Sequence, residues 1–450
     1  MIHIILVVLL LLAAPFHSAP LTNAFLNATG AIIGDFGSTG SQLFYFRFDS
    51  TGSLSTPIKI IPTSLRTEKQ RPGISEMKDD LGEISRYLSD LLRPVDGWLA
   101  RDGVDRSTTL VFFKATAGMR LLSDDHDELI KGAVDRRMRT EGFRYDGFEI
   151  ISGQLEGVYS WLSTNSLLKR LDCPSSMSVC EKTAMVLDMG GASTQITFDA
   201  TGTLVKDNLF PVVFSGAHYT LYTHSYMLYG VRHALDKYQD YLISREKARV
   251  HVRLSTRDLQ KGTLIVQDFC GRFGRSKTEL IEHDDGIPNE VTFVGFSNAT
   301  KCRQVITRHL LHLKTFCSQT PCAMAGVYQP IIAPGLDIYG IGAFAEIMKS
   351  FEVEPTQRIS YLLDLFDNRC ARSSDFQDSE EWNNSQSRLD SKCFQLLYLY
   401  SVLVDGYRLA PERIVHCTAK FGDVEVGWSM GALQHELNMA SMLNGWRDPE

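Results

Sequence analysis

The sequence predicts a two-lobed α/β protein, and three observations support this fold class. A chain of 450 residues is too long for one ordinary hydrophobic core. Strand-like and helix-like patterns alternate from residue 31 to about residue 149. The segments AIIGDFGSTGSQLFYF (residues 31–46) and AMVLDMGGASTQITFD (residues 184–199) align without a gap at an offset of 153 positions. This internal repeat indicates that each lobe opens with a copy of the same element.

Each copy is typical of a strand, a tight turn of small residues and a second strand. Among the residues that the copies share are Asp35 and Asp188, one glycine of each turn, and a glutamine in the second strand. Glycines let the backbone N–H groups of such a turn approach an anion closely. Two such turns predict a ligand with a chain of phosphates bound between two lobes.

Asp35 and Asp188 each end a strand just before a turn of phosphate-binding size. A carboxylate directed at a phosphate repels it unless a cation intervenes, so the placement predicts Mg²⁺ or Ca²⁺ with a shell of water. The alternative is that each aspartate only caps its own turn through backbone N–H groups. The presence of two copies in the same register favours the cation.

The first lobe is predicted from strands at residues 31–33, 43–48 and 109–113 and from helices at residues 78–92 and 125–139. We assign residues 28–149 and about 420–450 to this lobe and residues 150–419 to the second. The helix-like segment at residues 431–443 is expected to pack back on the first lobe.

The first residues resemble a secretory signal peptide. Residues 4–14 are eleven unbroken apolar residues, which is too short to span a bilayer comfortably. We predict a signal peptide over residues 1–19, cleaved near Ser18-Ala19, with an uncleaved anchor as the alternative. We expect no stable membrane span in the mature chain, which would be secreted or reside in the lumen of the secretory pathway.

The cysteines fit an oxidising compartment. We pair Cys317 with Cys322, Cys370 with Cys393, Cys270 with Cys302 and Cys173 with Cys180, which leaves Cys417 as a buried thiol. Three N-x-S/T sequons, at Asn27, Asn298 and Asn383, fit a glycoprotein.

The net charge of −7, without a Lys/Arg-rich run, argues against polymeric nucleic acid as a partner.

Two further segments lie between the copies of the repeat. VFFKATAGMRLL (residues 111–122) is a strand that ends in a small-residue turn, where Thr116 could face metal-bound water; alone it would be an ordinary strand end. In GQLEGVYSWLSTN (residues 153–165), Glu156 lies in the first turn of a helix. A glutamate there is usually a partner of the helix dipole, but beside a phosphate it could accept a proton from attacking water.

These four segments, in this order, closely resemble the apyrase conserved regions of the nucleoside triphosphate diphosphohydrolase family. So do RPGIS (residues 71–75), LYTHS (residues 221–225) and FGDVEVGWSMGA (residues 421–432). The resemblance covers nearly the whole chain from Ile32 to about Ala432. It implies a pair of ribonuclease-H-like lobes of the actin/hexokinase-like type, with the active site in the interlobe cleft.

The resemblance also implies divalent-metal-dependent hydrolysis of the terminal phosphate of nucleoside tri- and/or diphosphates by direct attack of water. Glu156 is the implied catalytic base, and Ser193 and Gln195 position the water. The implied phosphate-binding residues are Gly37, Ser38, Thr39, Gly40, Gly190, Gly191 and Ala192. The residues implied to contact Ca²⁺ or Mg²⁺ through water are Asp35, Asp188, Thr116 and Trp428. An aromatic side chain near Phe344 and an arginine near Arg388 are implied to hold the base.

Rival patterns are weaker. Residues 427–431 match the G-x-S-x-G elbow of serine hydrolases, but too little chain follows to supply an acid and then a histidine. Residues 340–345 resemble a dinucleotide fingerprint, yet stand alone late in the chain. His309 and His312 could suggest zinc but are more simply surface residues of a helix. The alternative from another functional class is a secreted nucleotide-binding or lectin-like module without turnover.

Overall fold

A computed structural model describes residues 28–49, 59–61, 66–77, 80–171, 181–203, 205, 207–251, 264–281, 290–371 and 380–445. These residues form two compact units. The first contains the described residues up to Ile151, Phe214–Gly216 and the described residues from Ser429 onward. The second contains those of Ser152–Val213 and Ala217–Trp428. The division into lobes at residues 149/150 and 419/420 stays a prediction, as does the signal peptide, which lies outside the described residues.

In the described part of the first unit, the main sheet has five strands in the order β3-β2-β1-β4-β5. They are β1 Gly30–Gly37, β2 Gly40–Asp49, β3 Lys59–Ile61, β4 Thr109–Ala115 and β5 Arg144–Ile150. The first three strands pair antiparallel and the last two join in parallel, which is the ribonuclease-H arrangement. The strands predicted at residues 31–33, 43–48 and 109–113 are confirmed.

The helices of this part of the chain are α1 Leu81–Leu92, α2 Val95–Asp102, α3 Ala117–Arg120 and α4 Asp124–Met138. α1 and α4 are the predicted helices, and α1 starts at Leu81 because the side chain of Asp80 caps Gly82 N. Alternate residues of β1 and β4, such as Ile32, Phe36 and Phe113, enter a core shared with these helices. The intervening residues, Asp35 among them, lie on the opposite face of the sheet.

The second unit opens with α5 Gly153–Leu167. Its main sheet within the described residues has the order β14-β15-β13-β6-β7-β9-β8. The strands are β6 Met185–Met189, β7 Ser193–Asp199, β8 Leu209–Phe214, β9 Ala217–Met227, β13 Ile338–Gly342, β14 Thr356–Arg358 and β15 Ile414–Cys417. The five strands β9-β7-β6-β13-β15 repeat the pairing directions of the first sheet. The predicted fold class is therefore confirmed.

The remaining strands form two small sheets: β10 Leu264–Asp268, β11 Ser276–Leu280 and β12 Glu290–Gly295, and the hairpin β16 Lys420–Phe421 with β17 Val424–Glu425. The other helices are α6 Val231–His251, α7 Ala299–Val305, α8 Ala343–Ser350, α9 Tyr361–Phe366, α10 Glu380–Ser401 and α11 Trp428–Gly445. Short 3-10 or π turns cover Ile74–Met77, Arg106–Thr108, Ile306–Leu310, Met324–Gly326, Asp367–Ala371 and Val402–Gly406.

α11, predicted as a helix at residues 431–443, contacts the first sheet through the ion pair of Glu436 with Lys114.

Three predicted disulfides are confirmed: Cys270–Cys302, Cys317–Cys322 and Cys370–Cys393. Cys417 is a free, buried thiol, as predicted. The pair Cys173–Cys180 lies outside the described residues. No described helix combines the length and the apolar character that a membrane crossing requires.

Candidate active site

The first predicted phosphate loop is the two-residue turn Ser38–Thr39 that joins β1 to β2. The two strands pair in register, with Asp35 opposite Gln42 and Gly37 opposite Gly40. Asp35 is partly exposed on the sheet face away from the core. The hairpin therefore places Asp35 three residues before the turn, near the end of the strand that the repeat predicts.

Two glycines from other segments back this first loop. A Cβ on Gly73 would lie 2.7 Å from Ser38 O, and one on Gly118 would lie 2.8 Å from Ser38 Cα. Gly73 belongs to the RPGIS segment and Gly118 follows Thr116, so both segments noted in the sequence contact the loop. Thr116 is buried, and its N–H donates to Phe36 O at 3.1 Å. The first unit thus brings together Asp35, the turn and Thr116.

Gln42 has a structural contact in the first hairpin. Its Nε2 donates to Thr67 O at 3.1 Å. Thr67 in turn accepts from Leu43 N through Oγ1 at 3.0 Å and donates its own N–H to Leu43 O at 3.0 Å. Gln42 therefore holds the segment that leads to Gly73 against the edge of β2.

The second predicted phosphate loop, residues 190–192, joins β6 to β7. Its strands pair with Asp188 opposite Gln195, the same register as in the first hairpin. The carbonyl of Gly190 accepts from Val231 N at 3.0 Å, and the carbonyl of Gly191 accepts from Arg232 N at 3.0 Å. These donors are the first residues of α6, so the helix start fixes the orientation of the loop backbone.

Gln195 is the centre of a buried hydrogen-bond network. Its Nε2 lies 3.1 Å from Glu156 Oε2, 2.9 Å from Ser193 Oγ and 2.9 Å from Ser225 Oγ. Gln195 is 1% exposed and Glu156 is 7% exposed. The remaining amide oxygen, Gln195 Oε1, has no hydrogen-bond partner among the described residues. A buried acceptor of this kind is suited to a water molecule that is itself a donor.

α5 approaches the sheet closely enough to complete this network because residue 157 is a glycine. A Cβ there would lie 2.5 Å from Thr197 Oγ1 and 2.7 Å from Thr223 Oγ1. Glu156 is therefore carried to Gln195 by helix packing and not by a flexible loop.

Asp188 is 8% exposed, and its Oδ2 accepts a 2.6 Å hydrogen bond from Ser160 Oγ. Burial raises the pKa of Asp188 above its ordinary value, while the bond from Ser160 acts in the opposite direction. On the other side, a Cβ on Gly342 would lie 3.1 Å from Asp188 Oδ1, so the absence of a side chain leaves room beside that oxygen. A buried carboxylate is costly without a cation, which fits a nearby metal.

No group of three or more His, Cys, Asp or Glu suited to holding a metal directly occurs within the described residues. The donor set fits a cation held mainly by water and phosphate, with single carboxylates at its shell. Asp35 and Thr116 are candidates for such a shell within the first unit, and Asp188 is a candidate within the second.

The remaining predicted residues lie elsewhere. Trp428 is nearly buried at the first position of α11. Phe344 is 1% exposed in the core of the second unit. Its ring packs against Gly340, where an added Cβ would lie 2.8 Å from Phe344 Cγ. This environment does not favour Phe344 as a stacking surface for a base. Arg388 lies in α10, but its side chain is outside the described residues.

Two residues of this site were not singled out by the sequence. Ser225 lies within the LYTHS segment and reaches Gln195 because β9 pairs with β7. Ser160 follows Glu156 by one helical turn. That four-residue spacing could have indicated a shared helix face, although the sequence does not show what the face contacts.

The units define an α/β fold of the actin-like type with a duplicated acidic hairpin. A solved structure of nucleoside triphosphate hydrolases from Neospora caninum shares this fold, with a TM-score of 0.61 at 15% identity and coverage of 91% of this chain and 92% of that chain.

The GDA1/CD39 (nucleoside phosphatase) family matches residues 26–445, and the chain belongs to this family. It is similar to guanosine-diphosphatase of Schizosaccharomyces pombe, with 28% identity over 92% of this chain and 74% of the relative. It is also similar to ectonucleoside triphosphate diphosphohydrolase 1 of Rattus norvegicus, with 25% identity over 97% of this chain and 86% of the relative. The suspected family and the assignment as a nucleoside phosphatase are confirmed.

Proposed function

We propose that the chain hydrolyses the terminal phosphate of nucleoside diphosphates and triphosphates by direct attack of a water molecule. The observation that carries the proposal is the contact of Gln195 with Glu156 and Ser193 at the end of a phosphate-type loop. The names of the two relatives supply the substrate class, since one is a guanosine-diphosphatase and the other a triphosphate diphosphohydrolase.

The water is held by Gln195 Oε1 and Ser193, and a carboxylate oxygen of Glu156 accepts one of its protons. A new bond forms between the water oxygen and the terminal phosphorus as the bridging P–O bond breaks. The bridging oxygen leaves with the shortened nucleotide, and the phosphate departs with the oxygen of the water. Because a phosphoanhydride has a good leaving group, positioning and charge stabilisation can suffice without a covalent intermediate.

Each loop contributes backbone N–H groups to phosphate oxygens: residues 37–40 in the first unit and residues 190–192 in the second. Ca²⁺ or Mg²⁺, when bound, neutralises charge on the phosphate oxygens. Asp35, Asp188, Thr116 and Trp428 would hold its water shell. The base-binding roles of Phe344 and Arg388 stay part of the proposal, with the burial of Phe344 against it.

We also propose that the chain acts outside the cell or in the lumen of the secretory pathway. Three disulfides in the described residues support an oxidising compartment. Hydrolysis of ATP and ADP would fit an extracellular role, while a preference for GDP or UDP would fit the removal of diphosphates released by luminal transferases.

The test is phosphate release by the purified protein from ATP, ADP, UDP and GDP, with Ca²⁺, with Mg²⁺ and then with EDTA. Glu156→Gln should keep nucleotide binding and lower kcat by roughly 10²–10⁴-fold. Glu128→Gln, the same change at an exposed glutamate of α4, should leave the rate unchanged. Full turnover by Glu156→Gln would remove Glu156 as the base. Nucleotide binding without any phosphate release would favour a binding module instead.

A further inference from the structure

Ser160 lies on the same helix as the proposed base, four residues and about one turn further along α5. Residues four apart share one face of a helix, so Glu156 and Ser160 project toward the same sheet. Glu156 contacts Gln195 on β7, and Ser160 Oγ donates to Asp188 Oδ2 on β6 at 2.6 Å. One rigid element therefore contacts both the proposed base network and the proposed metal-shell carboxylate.

The contact between Ser160 and Asp188 is buried. Ser160 is 1% exposed, and a hydrogen bond to a carboxylate in such surroundings is stronger than one between neutral groups. Ser163, on the next turn of α5, is also fully buried, but its hydroxyl has no hydrogen-bond partner among the described residues. The interaction with Asp188 thus distinguishes Ser160 from another buried serine of the same helix.

The contacts of Asp188 involve its backbone and one of its two carboxylate oxygens. Its backbone carbonyl accepts from Thr194 Oγ1 at 2.8 Å, which ties the strand end. Ser160 engages Oδ2, while Oδ1 lies on the side of Gly342, where no side chain intervenes. Oδ1 is therefore the oxygen left for a ligand outside the protein.

We propose that Ser160 is a positioning residue that fixes the rotation of the Asp188 carboxylate, so that Oδ1 faces the water shell of the divalent cation. The proposal rests on the proposed function in that it assigns Asp188 to that shell. It adds that the helix which carries the base also sets the geometry of the cation site. Loss of the Ser160 hydroxyl should therefore lower the affinity of the protein for the cation while leaving Glu156 and Gln195 in place.

The test compares Ser160→Ala with the matched control Ser163→Ala. Removing a group that orients a metal ligand typically costs 10–100-fold in affinity, so we expect Ser160→Ala to raise the Ca²⁺ concentration for half-maximal phosphate release by roughly 10-fold. At saturating Ca²⁺ its kcat should stay within about 3-fold of the wild type, since Glu156 and Gln195 are unchanged. Ser163→Ala should change neither quantity.

A calorimetric titration of Ca²⁺ into the protein with a non-hydrolysable nucleoside triphosphate analogue provides a readout independent of turnover. It should show the same loss of affinity in Ser160→Ala. Ser160→Cys keeps nearly the same volume with a weak donor and should share the defect, whereas Ser160→Thr keeps the hydroxyl and should restore Ca²⁺ affinity. The cysteine variant tests the proposal even if the alanine variant does not fold.

The outcomes separate this inference from the proposed function. Equal Ca²⁺ affinities in Ser160→Ala and Ser163→Ala, or in Ser160→Cys and Ser160→Thr, would overturn the positioning role. A wild type that binds no Ca²⁺ would overturn it as well. A wild type that binds Ca²⁺ in a Ser160-dependent manner but releases no phosphate would instead refute the hydrolase and leave the role of Ser160 standing.

Discussion

The two hairpins share a sequence pattern and a strand register, yet their equivalent glutamines make different contacts. Gln42 bonds to the backbone of Thr67, whereas Gln195 bonds to the side chains of Glu156, Ser193 and Ser225. The duplicated scaffold thus fixes where the amide lies but not its role. The role depends on which segment packs against the hairpin, an adjoining loop in the first unit and α5 in the second.

The aspartates differ in a related way. Asp35 is partly exposed, and Lys114 is its neighbour in the parallel register of β4. Asp188 is nearly buried, and the equivalent neighbour in β13 is Ile341. The first sheet therefore places a lysine beside its aspartate in the strand register, while the second places Ile341 there and adds the neutral hydroxyl of Ser160.

The largest effect should come from truncating the glutamine in each hairpin in turn. Gln195→Ala removes the group that holds Glu156 and the proposed water, so we expect kcat to fall by roughly 10²–10³-fold. Gln42→Ala removes one backbone contact, at a stability cost of about 1 kcal/mol and with less than about 5-fold change in kcat. Steady-state phosphate release and thermal melts measure both. Equal losses of kcat would show that the two glutamines are functionally equivalent despite their contacts.

A second test concerns the charges of the first sheet. Lys114 is 4% exposed and bonds to Glu149 at 2.5 Å and to Glu436 at 2.7 Å. Lys114→Met removes the cation that bonds to the partly exposed Glu436 and the exposed Glu149, so the first unit should lose about 2 kcal/mol of unfolding free energy. Lys131→Met, at an exposed pair with Glu128, should change stability by less than about 0.5 kcal/mol. Denaturant unfolding distinguishes the two variants, and equal stabilities would show that the ion pairs of Lys114 do not stabilise the first unit.

A third test concerns the glycine that backs the second loop. A Cβ on Gly230 would lie 2.4 Å from Ala192 N and 2.5 Å from Ser193 N, both backbone atoms that cannot rotate away. Gly230→Ala should therefore cost about 2 kcal/mol of stability and raise KM for nucleotide. Gly97→Ala, in α2 with nothing within 4 Å of the new Cβ, should stabilise by up to about 1 kcal/mol. An unchanged KM in Gly230→Ala would indicate that the loop tolerates displacement.

Much of this comparison could be predicted from the sequence, because the repeat fixes the strand register and Asp35 and Asp188 lie near the ends of equivalent strands. The position of Glu156 in a first helical turn could also be predicted, and its role as the base stays a prediction that the family resemblance implies. The bonds of Ser160 and Ser225 could not be predicted, since they depend on how α5 and β9 pack on the sheet. The hydrogen bond of Gln42 could not be predicted for the same reason, because its partner Thr67 lies in a separate segment of the chain.

The smallest effect tests the cost of the buried carboxylate. Burial raises the pKa of Asp188, so the folded state holds a proton more tightly than the unfolded state. Folding stability therefore falls as pH rises from the ordinary aspartate pKa, near 3.9, through the raised value. In EDTA at pH 7.5, Asp188→Asn removes this charge and should raise Tm by about 2–4 °C, a gain that shrinks as pH falls.

Asp35→Asn, at the partly exposed equivalent, is the matched control and should change Tm by less than about 1 °C. Ca²⁺ with a non-hydrolysable nucleotide should reverse the order by stabilising the wild type above Asp188→Asn, because only the charged carboxylate attracts the cation. Differential scanning fluorimetry across pH 4–8 measures all three proteins. If Asp188→Asn melts below the wild type in EDTA at every pH, the carboxylate is stabilised by its surroundings without a cation. The contrast with Asp35 would then lie in burial alone.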